Sequence, residues 1–174
     1  MKTVCVIGGG AAGLMAAYAA GKNGHQVTLF EKNERMGRKL GITGKGRCNL
    51  TNACDTNEFI ANIVTNKKFM YTASAALTSF ALMDFFENEI GVPLKVERGN
   101  RVFPQSDNAN DVAGLMAQLC HREGVKLIKT TAKDIVVDDG CVVGVKIPEG
   151  TIPCRAAAVC TGGLSYPLTG CKGA

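Results

Sequence analysis

Two hydrophobic patterns recur along the chain: short apolar runs, and longer segments in which apolar residues recur at helical spacing. The short runs predict strands of a parallel sheet, at Thr3–Ile7, Gln26–Glu31, Val125–Lys129 and Ala156–Cys160. The last run is apolar throughout, which predicts a strand buried on both faces. The Ala-rich segment Ala11–Asn23 predicts a helix that stops at Gly24. Together with the first two strands it forms a predicted βαβ unit.

Apolar residues at helical spacing predict two more helices, each ended by a glycine. The stripes are Leu82, Phe85, Phe86 and Ile90 before Gly91, and Val112, Leu115, Met116, Leu119 and Cys120 before Gly124. Asp55, with Glu58 three residues later, resembles a capping box and predicts a further helix start. Lys32–Thr51 shows neither the strand period of about 2 residues nor the helix period of about 3.6. It therefore predicts a long ordered loop, which in a compact domain is usually functional.

Turn residues between short strands predict antiparallel hairpins. One pairs Pro93–Glu97 with Asn100–Phe103, and another pairs Ile135–Val137 with Cys141–Val145 across an Asp-Asp-Gly turn. With a second turn at 148–150, the later hairpin becomes a three-stranded meander over about Lys133–Cys154. The pattern therefore predicts an α/β fold in which a parallel core sheet is joined by this antiparallel piece.

Length and composition restrict the class of protein. The chain has 174 residues, 46% hydrophobic and 20% charged, which is typical of one globular domain. No apolar stretch is long enough for a transmembrane helix, and no secretory leader is visible, so we expect a cytoplasmic protein with no membrane partner. The eight cysteines include no CxxC pair or zinc-finger spacing, so we expect no metal. Cys5, Cys120 and Cys160 lie in apolar runs and are predicted to be buried thiols.

The net charge of +5 is concentrated in one segment. Residues 32–47 contain six basic residues against the single acid Glu34, which accounts for the whole excess. The six are Lys32, Arg35, Arg38, Lys39, Lys45 and Arg47. A local basic cluster in an otherwise neutral chain indicates either a bound anion or a solvated loop.

The glycines after the first strand carry the strongest chemical signal. Gly8, Gly10 and Gly13 have the GxGxxG spacing, in which the first glycine permits a tight turn, the second admits a pyrophosphate and the third lets the helix pack on the sheet. Glu31, 18 residues later at a strand end, is placed to bind a ribose diol. Because its charge would repel a 2′-phosphate, an unphosphorylated adenosine ribose is favoured. NAD and FAD both have such a ribose, so both fit at this point.

Three longer segments separate these alternatives. GRKLGITGKGRCNLTN (37–52), RVFPQSDNANDV (101–112) and TGGLSYPLTG (161–170) resemble segments of the BaiN-like, aminoacetone-oxidase-like FAD flavoproteins. The resemblance runs in order over nearly the whole chain. It implies a Rossmann-like FAD/NAD(P)-binding domain of the two-dinucleotide-binding type over residues 1–174, in a flavin-dependent oxidoreductase that transfers hydride between a small-molecule substrate and FAD. NAD(P)H as a second redox partner is left open.

The resemblance also implies which residues hold FAD. The glycine loop would contact the pyrophosphate, Glu31 the adenosine ribose, Arg38 and Lys39 the adenosine side, and Ala132 the adenine. Arg47, Cys48 and Asn49 would lie nearer the flavin, and Thr161–Gly163 would turn over the cofactor. The full predicted set is Gly8, Gly10, Ala11, Ala12, Gly13, Glu31, Lys32, Arg38, Lys39, Gly44, Gly46, Arg47, Cys48, Asn49, Ala132, Thr161, Gly162 and Gly163. For Cys48, a reactive thiol beside basic residues and a packed thiol are both considered, and packing is favoured. No catalytic residue is assigned.

The chain departs from the family at its last residues. The family continues with Ser-Thr-Gly-Asp-Gly, whereas this chain has Cys-Lys-Gly-Ala at 171–174. We therefore expect an N-terminal portion that lacks the family's second domain and C-terminal return segment, is inactive alone, and self-associates through the face left open. An NAD-binding dehydrogenase domain is the second hypothesis. A nucleic-acid-binding module is the third, and it is disfavoured because residues 32–47 contain no aromatic side chain to stack on bases.

Overall fold

A computed structural model describes residues Met1–Thr169. Within them the strands are β1 (Thr3–Ile7), β2 (Gln26–Glu31), β3 (Thr51–Asn52), β4 (Leu94–Glu97), β5 (Arg101–Pro104), β6 (Lys126–Lys129), β7 (Asp134–Asp138), β8 (Cys141–Ile147), β9 (Gly150–Pro153) and β10 (Ala156–Val159). The α-helices are α1 (Ala11–Lys22), α2 (Thr56–Ala61), α3 (Lys67–Ala76), α4 (Ser79–Asp84) and α5 (Ala109–Arg122). The chain forms two compact units: Met1–Gly41 with the chain from Ala113 onward, and Ile42–Val112.

The first unit contains the predicted parallel sheet, in the order β10-β1-β2-β6. Val4 pairs with Val27 on one side and with Ala156 on the other, and all three strand pairs of this sheet, β10–β1, β1–β2 and β2–β6, are parallel. Parallel neighbours need a crossover, which α1 supplies between β1 and β2. The sheet and the βαβ unit are therefore confirmed.

Helix α1 covers this sheet with small and aliphatic side chains. Leu14, Ala17 and Tyr18 are buried, and the helix contacts β1, β2 and β10. It ends at Lys22 with Asn23 as its C-cap, and Gly24 follows at a φ of 75°, as the sequence predicted.

The antiparallel meander is confirmed in the order β7-β8-β9. Its turn places Asp139 and Gly140 at φ values of 46° and 71°, which suits the Asp-Gly pair. Val145 and Ile147 of β8 are buried in one cluster with Cys5 and Phe30 of the parallel sheet. The meander thus packs against the sheet through an apolar core.

The prediction that Ala156–Cys160 is buried on both faces is wrong. Among the described strands β10 has one neighbour, β1, so it lies at the sheet edge. Ala156 is exposed and Val159 is 54% exposed. Cys160 is half-buried, whereas Cys5 and Cys120 are fully buried as predicted. An apolar run identifies a strand, but its burial depends on which neighbours cover it.

The second unit contains a small antiparallel sheet in the order β3-β5-β4. The β4–β5 hairpin is confirmed, with Gly99 and Asn100 both at positive φ in its turn. The short β3 was not predicted, since Thr51 lies in the segment expected to be a loop. The same segment contains a 3₁₀ stretch, Leu40–Gly46, that is broken at residues 43–45.

The helices of the second unit are partly as predicted. Asp55 caps α2, and its side chain accepts a hydrogen bond from the Glu58 amide at 2.8 Å. Helix α4 continues as a π-helix to Ile90 and ends at Gly91, which has a φ of 81°. Helix α3 was missed because its apolar side chains do not form one buried stripe, and Phe69 is 83% exposed.

Helix α5 follows its predicted stripe and contains the boundary between the units. Val112, Met116, Leu119 and Cys120 are buried, whereas Leu115 is half-buried. No single helix within the described residues is long and apolar enough to cross a membrane. The pair Lys67–Ala76 and Ser79–Ile90 passes that test by length and composition only, with a bend of 49°.

Candidate functional site

The turn out of β1 requires glycine at position 8. Its φ is 105°, a conformation that residues with a side chain rarely adopt. A Cβ atom there would also lie 2.5 Å from the Cys160 carbonyl oxygen. The Gly8 amide donates to the Phe30 carbonyl at 2.8 Å, so the turn is fixed between β1, β2 and the end of β10.

The neighbouring glycines allow close packing of the same loop. A Cβ on Gly13 would overlap the Gly8 carbonyl oxygen, and a Cβ on Gly9 would overlap the Met36 sulfur. These contacts agree with the expected role of the third glycine, which brings α1 close to the turn. The GxGxxG spacing alone did not predict the close approach of Gly9 to Met36.

Gly10 differs because the space above it is open. A Cβ there would meet no atom within 4 Å. Gly10 is the N-cap of α1, no side chain caps the helix, and its first turn has no acidic residue. The amides of Ala11, Ala12 and Gly13 have no acceptor within the helix at this end, and the helix dipole adds partial positive charge. These features fit a pyrophosphate.

The Glu31 carboxylate is buried beside this loop. One oxygen accepts from the Gly9 amide at 2.8 Å, and the other accepts from the backbone and side-chain nitrogens of Asn33 at 2.8 and 2.6 Å. A carboxylate has about four acceptor positions, so these bonds leave capacity for a ribose hydroxyl. Asn33 was not predicted, and its only sequence signal is a polar side chain two residues after Glu31.

The predicted basic residues Arg38 and Lys39 meet the third sequence segment. The Arg38 guanidinium donates to the Asn33 side-chain oxygen at 2.9 Å and to the Leu168 carbonyl at 3.0 Å. The Lys39 ammonium donates to the Ser165 hydroxyl at 3.3 Å. Asn33 therefore links Glu31 to Arg38, and the structure brings together motifs about 130 residues apart in sequence. Lys32 is exposed.

The remaining predicted residues of the first unit are the turn after β10 and Ala132. Gly162, between Thr161 and Gly163, has a φ of 79°, and the preceding Cys160 amide donates to the Ile7 carbonyl at 2.8 Å. Ala132 packs against the core cluster that contains Phe30. The end of the third segment, from Gly170, and residues 171–174 lie outside the described residues.

The predicted flavin-side residues belong to the second unit. Gly44 and Gly46 have φ values of 56° and 87°, and a Cβ on Gly44 would lie 2.9 Å from the Phe103 ring. Asn49 donates from its side chain to the carbonyls of Thr51 and Val102 at 3.0 and 3.1 Å. These contacts fix the loop within its own unit.

Arg47 is engaged by acids of the same unit. Its guanidinium bonds both oxygens of Glu97 at 2.8 and 3.1 Å, approaches Asp107 at 3.3 Å, and stacks over the Phe103 ring at 4.1 Å. Lys95 also bonds Asp107, at 2.5 Å. The pKa of Glu97 is lowered chiefly by its hydrogen bond from Arg47, and the pKa of Asp107 chiefly by its bond from Lys95. Sequence spacing gave no sign of these partners.

Cys48 is a packed thiol. The residue is fully buried at a φ of 64°, and burial raises the pKa of its thiol although a hydrogen bond with Thr43 opposes the shift. A raised pKa disfavours the nucleophilic thiolate. Burial and the raised pKa therefore favour the packed alternative over the reactive one.

Comparisons with known proteins agree with this geometry. The chain is 34% identical over 155 residues to the 3-dehydro-bile acid Δ(4,6)-reductase of Clostridium scindens, a match that covers 79% of the chain and 35% of that protein. It is 28% identical to the ribosomal RNA dihydrouridine synthase of Escherichia coli, over 95% of the chain and 40% of that protein. The chain thus matches about two fifths of the length of these relatives.

A solved structure shows the same fold. THI4 of Thermovibrio ammonificans superposes with a TM-score of 0.59 at 18% identity, over 91% of this chain and 55% of that one. The family described as the HI0933-like protein Rossmann domain matches residues 2–174. The glycine loop, the buried acid and this match together show that the chain belongs to the HI0933-like family, as a Rossmann-type FAD-binding domain of FAD-dependent oxidoreductases.

Proposed function

We propose that the first unit holds the ADP half of FAD in an oxidoreductase that transfers hydride between FAD and a small-molecule substrate. The observation that carries this proposal is the open space at Gly10 beside the uncapped helix start and the Glu31 carboxylate. FAD, when bound, supplies the two-electron hydride chemistry. The protein supplies position and electrostatics.

The residues of the loop have distinct roles in this proposal. The amides of Ala11, Ala12 and Gly13 donate to the pyrophosphate, and the adjacent dipole stabilises its negative charge. Asn33 fixes the Glu31 carboxylate, which then accepts from the ribose diol. Arg38 is in turn held by Asn33. The loop is therefore preorganised, which reduces the entropy lost on binding.

We place the adenine near Ala132 and the turn of Thr161–Gly163 over the cofactor, following the family resemblance. On the same basis Gly44, Gly46, Arg47, Cys48 and Asn49 are proposed for the flavin end. Lys32 and Lys39 add positive charge for the two phosphates. The role of Arg47 in this proposal is positional, because carboxylates of Glu97 and Asp107 already offset its charge.

We propose that the reaction is reduction of a carbon–carbon double bond activated by a carbonyl group. The names of both relatives describe products with such a bond reduced, in a bile acid and in uridine. Hydride adds to one carbon and a proton from a protein group or water adds to the other, so the double bond becomes a single bond. A small molecule is preferred as substrate because the bile-acid enzyme is the more similar of the two at 34% identity.

Ribosomal RNA is the second candidate substrate, because the E. coli relative is named for it. The observation that favours it is the exposure of Lys32, Arg35 and Arg38. Binding through such residues weakens steeply with salt. An affinity for RNA that falls by orders of magnitude between low and physiological salt, with no response to conjugated ketones, would favour this candidate.

The cofactor proposal is tested by titrating the chain with FAD, ADP and NAD. We expect ADP to bind and FAD to bind weakly, no more tightly than ADP, because only the ADP half has its contacts in the glycine loop. Gly10→Val should abolish both, because the valine methyl groups fill the space proposed for the pyrophosphate. Gly114→Val is the control, since Gly114 is exposed and, like Gly10, has no atom within 4 Å of its Cβ position. Undiminished FAD binding by Gly10→Val would show that the phosphates lie elsewhere, and preference for NAD would favour a dehydrogenase domain.

The reaction class is tested separately with chain that holds FAD. The flavin is reduced without oxygen and then mixed with a conjugated enone or with its saturated ketone. The chain alone is expected to be inactive in turnover, so the test follows a single reoxidation of the bound flavin. We expect the enone to reoxidise the flavin faster than it reoxidises free reduced FAD, and the saturated ketone to have no effect. Equal rates with both ketones would refute double-bond reduction while leaving the cofactor assignment intact.

A further inference from the structure

Helices α3 and α4 of the second unit present an apolar outer surface to solvent. Phe69 is 83% exposed, Phe80 is 54% exposed and Leu77 is 40% exposed. Ser74 of α3 and Ser79 of α4 are buried and line one small hollow together, so the opposite faces of both helices point outward. The exposed part of residues 67–87 is called the α3–α4 surface below, and it lies wholly within the second unit.

The exposed residues of each helix share a face. Phe69, Ala73 and Ala76 are exposed at the spacing i, i+4, i+7, which places them on one side of α3. Phe80 and Asp84 are exposed four residues apart on α4. At about 200 Å² for a whole aromatic side chain, Phe69 and Phe80 together expose roughly 300 Å². Apolar patches of this size on a folded domain often mark a binding surface.

Opposite charges lie at the two ends of the α3–α4 surface. Lys67 and Lys68 are exposed at the start of α3, whereas Asp84 and Glu87 are exposed at the end of α4 and just after it. Residues 69–83 contain no charged side chain. Among the residues that the structure describes, Lys68 and Asp84 take part in no ion pair. Neighbouring side chains therefore leave both of these charges without a counter-ion.

The order of these features along the surface restricts the kind of partner. A basic end, an apolar middle and an acidic end match a second copy of the same surface when the two copies run in opposite directions, because lysines then meet carboxylates at both ends. Copies running in the same direction would bring like charges together. An anionic membrane would attract the basic end but repel the acidic end. The surface is therefore complementary to itself, as a two-fold symmetric contact requires.

We propose that the α3–α4 surface is the contact between two copies of this chain, which pair antiparallel about a two-fold axis. Phe69 of each copy packs near Phe80 of the other, and Lys68 of each copy faces Asp84 of the other. The contact buries roughly 1,000 Å² in total, which is near the lower limit for a specific interface, so the dimer is weak. The proposal does not depend on FAD binding, because none of these residues belongs to the predicted cofactor set.

The experiment measures the oligomeric state of the whole 174-residue chain by sedimentation velocity over a wide range of concentration, at low and at physiological salt. Phe69→Asn removes the most exposed apolar side chain of the two helices. Val159→Asn is the matched control, since Val159 is 54% exposed on the edge strand β10 of the first unit. Lys68→Glu and Asp84→Lys are studied alone and as an equimolar mixture. Circular dichroism shows that each variant is folded.

We expect the parent chain to form dimers and nothing larger, with a Kd on the order of micromolar. Phe69→Asn should weaken the dimer by about tenfold or more, because the apolar contact is lost from both copies, while Val159→Asn dimerises like the parent. Lys68→Glu and Asp84→Lys should each weaken the dimer several-fold at low salt, since each places like charges together. The mixture should regain the affinity of the parent, because its mixed dimer again pairs opposite charges.

Each contrary result would overturn the proposal. A parent chain that stays monomeric at the highest concentration would show that the surface binds no second copy. Loss of the dimer in Val159→Asn but not in Phe69→Asn would place the contact at the edge of the parallel sheet. A mixture that regains no affinity would refute the pairing of Lys68 with Asp84. If the parent binds vesicles of phosphatidylcholine with phosphatidylglycerol and forms no dimer, while Phe69→Asn binds no vesicles, the surface belongs to a membrane contact instead.

Discussion

Replacing Gly8 with alanine perturbs the turn on which the whole candidate site depends. The added Cβ meets two separate obstacles. The backbone at this position has a φ of 105°, which disfavours any residue with a side chain. The Cβ would also lie 2.5 Å from the Cys160 carbonyl oxygen and 2.9 Å from its carbonyl carbon, and both are backbone atoms of a paired strand end.

The cost follows from these two obstacles. A residue forced into a sparsely populated backbone region costs about 1–3 kcal/mol. Overpacking by one methyl group costs about 1–3 kcal/mol when neighbours cannot move freely. We expect Gly8→Ala to lower the free energy of unfolding by about 2–6 kcal/mol, the sum of these two costs, against a total of about 5–15 kcal/mol for a typical domain. A loss near 3 kcal/mol corresponds to a midpoint roughly 6–12 °C lower.

Thermal and urea unfolding, followed by circular dichroism, measure this loss. Gly10→Ala is the control in the same loop, because Gly10 has a φ of −79° and no atom within 4 Å of its Cβ position. We expect the control to lose about 1 kcal/mol or less, the difference between glycine and alanine at an N-cap. Equal losses in the two variants would refute the argument that close backbone contact, rather than cofactor access, requires glycine at position 8.

Three further predictions concern single side chains. Glu31→Ala should weaken binding of FAD and ADP by about 1–3 kcal/mol in titration calorimetry, for a lost charged hydrogen bond; unchanged affinity would show that the carboxylate serves only its protein partners. The pKa values of Glu97 and Asp107 are lowered from their ordinary values of 4.5 and 3.8. The ion pairs of these carboxylates therefore contribute their full stability to the fold above the ordinary pKa values, and this stability is lost as the pH falls through the lowered ones. Urea midpoints from about pH 3 to 6 should therefore fall more steeply for the parent than for Glu97→Gln, and parallel curves would contradict this. Iodoacetamide should modify the exposed Cys141 of the native chain before the buried Cys48, as mass spectrometry of the digested protein would show; early labelling of Cys48 would argue against its raised pKa.

Local features of the fold could be predicted from the sequence because their causes lie within a few residues. The apolar run Thr3–Ile7, the glycines that follow it and the Ala-rich helix are each specified by neighbouring side chains and turn chemistry. The same holds for the Asp55 cap and for the Asp-Gly turn of the meander. The position of Glu31 beside the glycine loop also followed, since a βαβ crossover fixes where the second strand ends.

The tertiary structure alone decided which side chains meet across long separations. Arg47 pairs with Glu97 and Asp107, 50 and 60 residues away, and Arg38 bonds a carbonyl 130 residues away. The edge position of β10 likewise depends on sheet order, which an apolar run does not encode. Sequence periodicity indicates whether a side chain favours burial, but the identity of its partner depends on how distant segments pack. Ser74 of α3 is an example, since nothing in the helix sequence around it predicts that its hydroxyl is buried without a hydrogen-bond partner among the described residues.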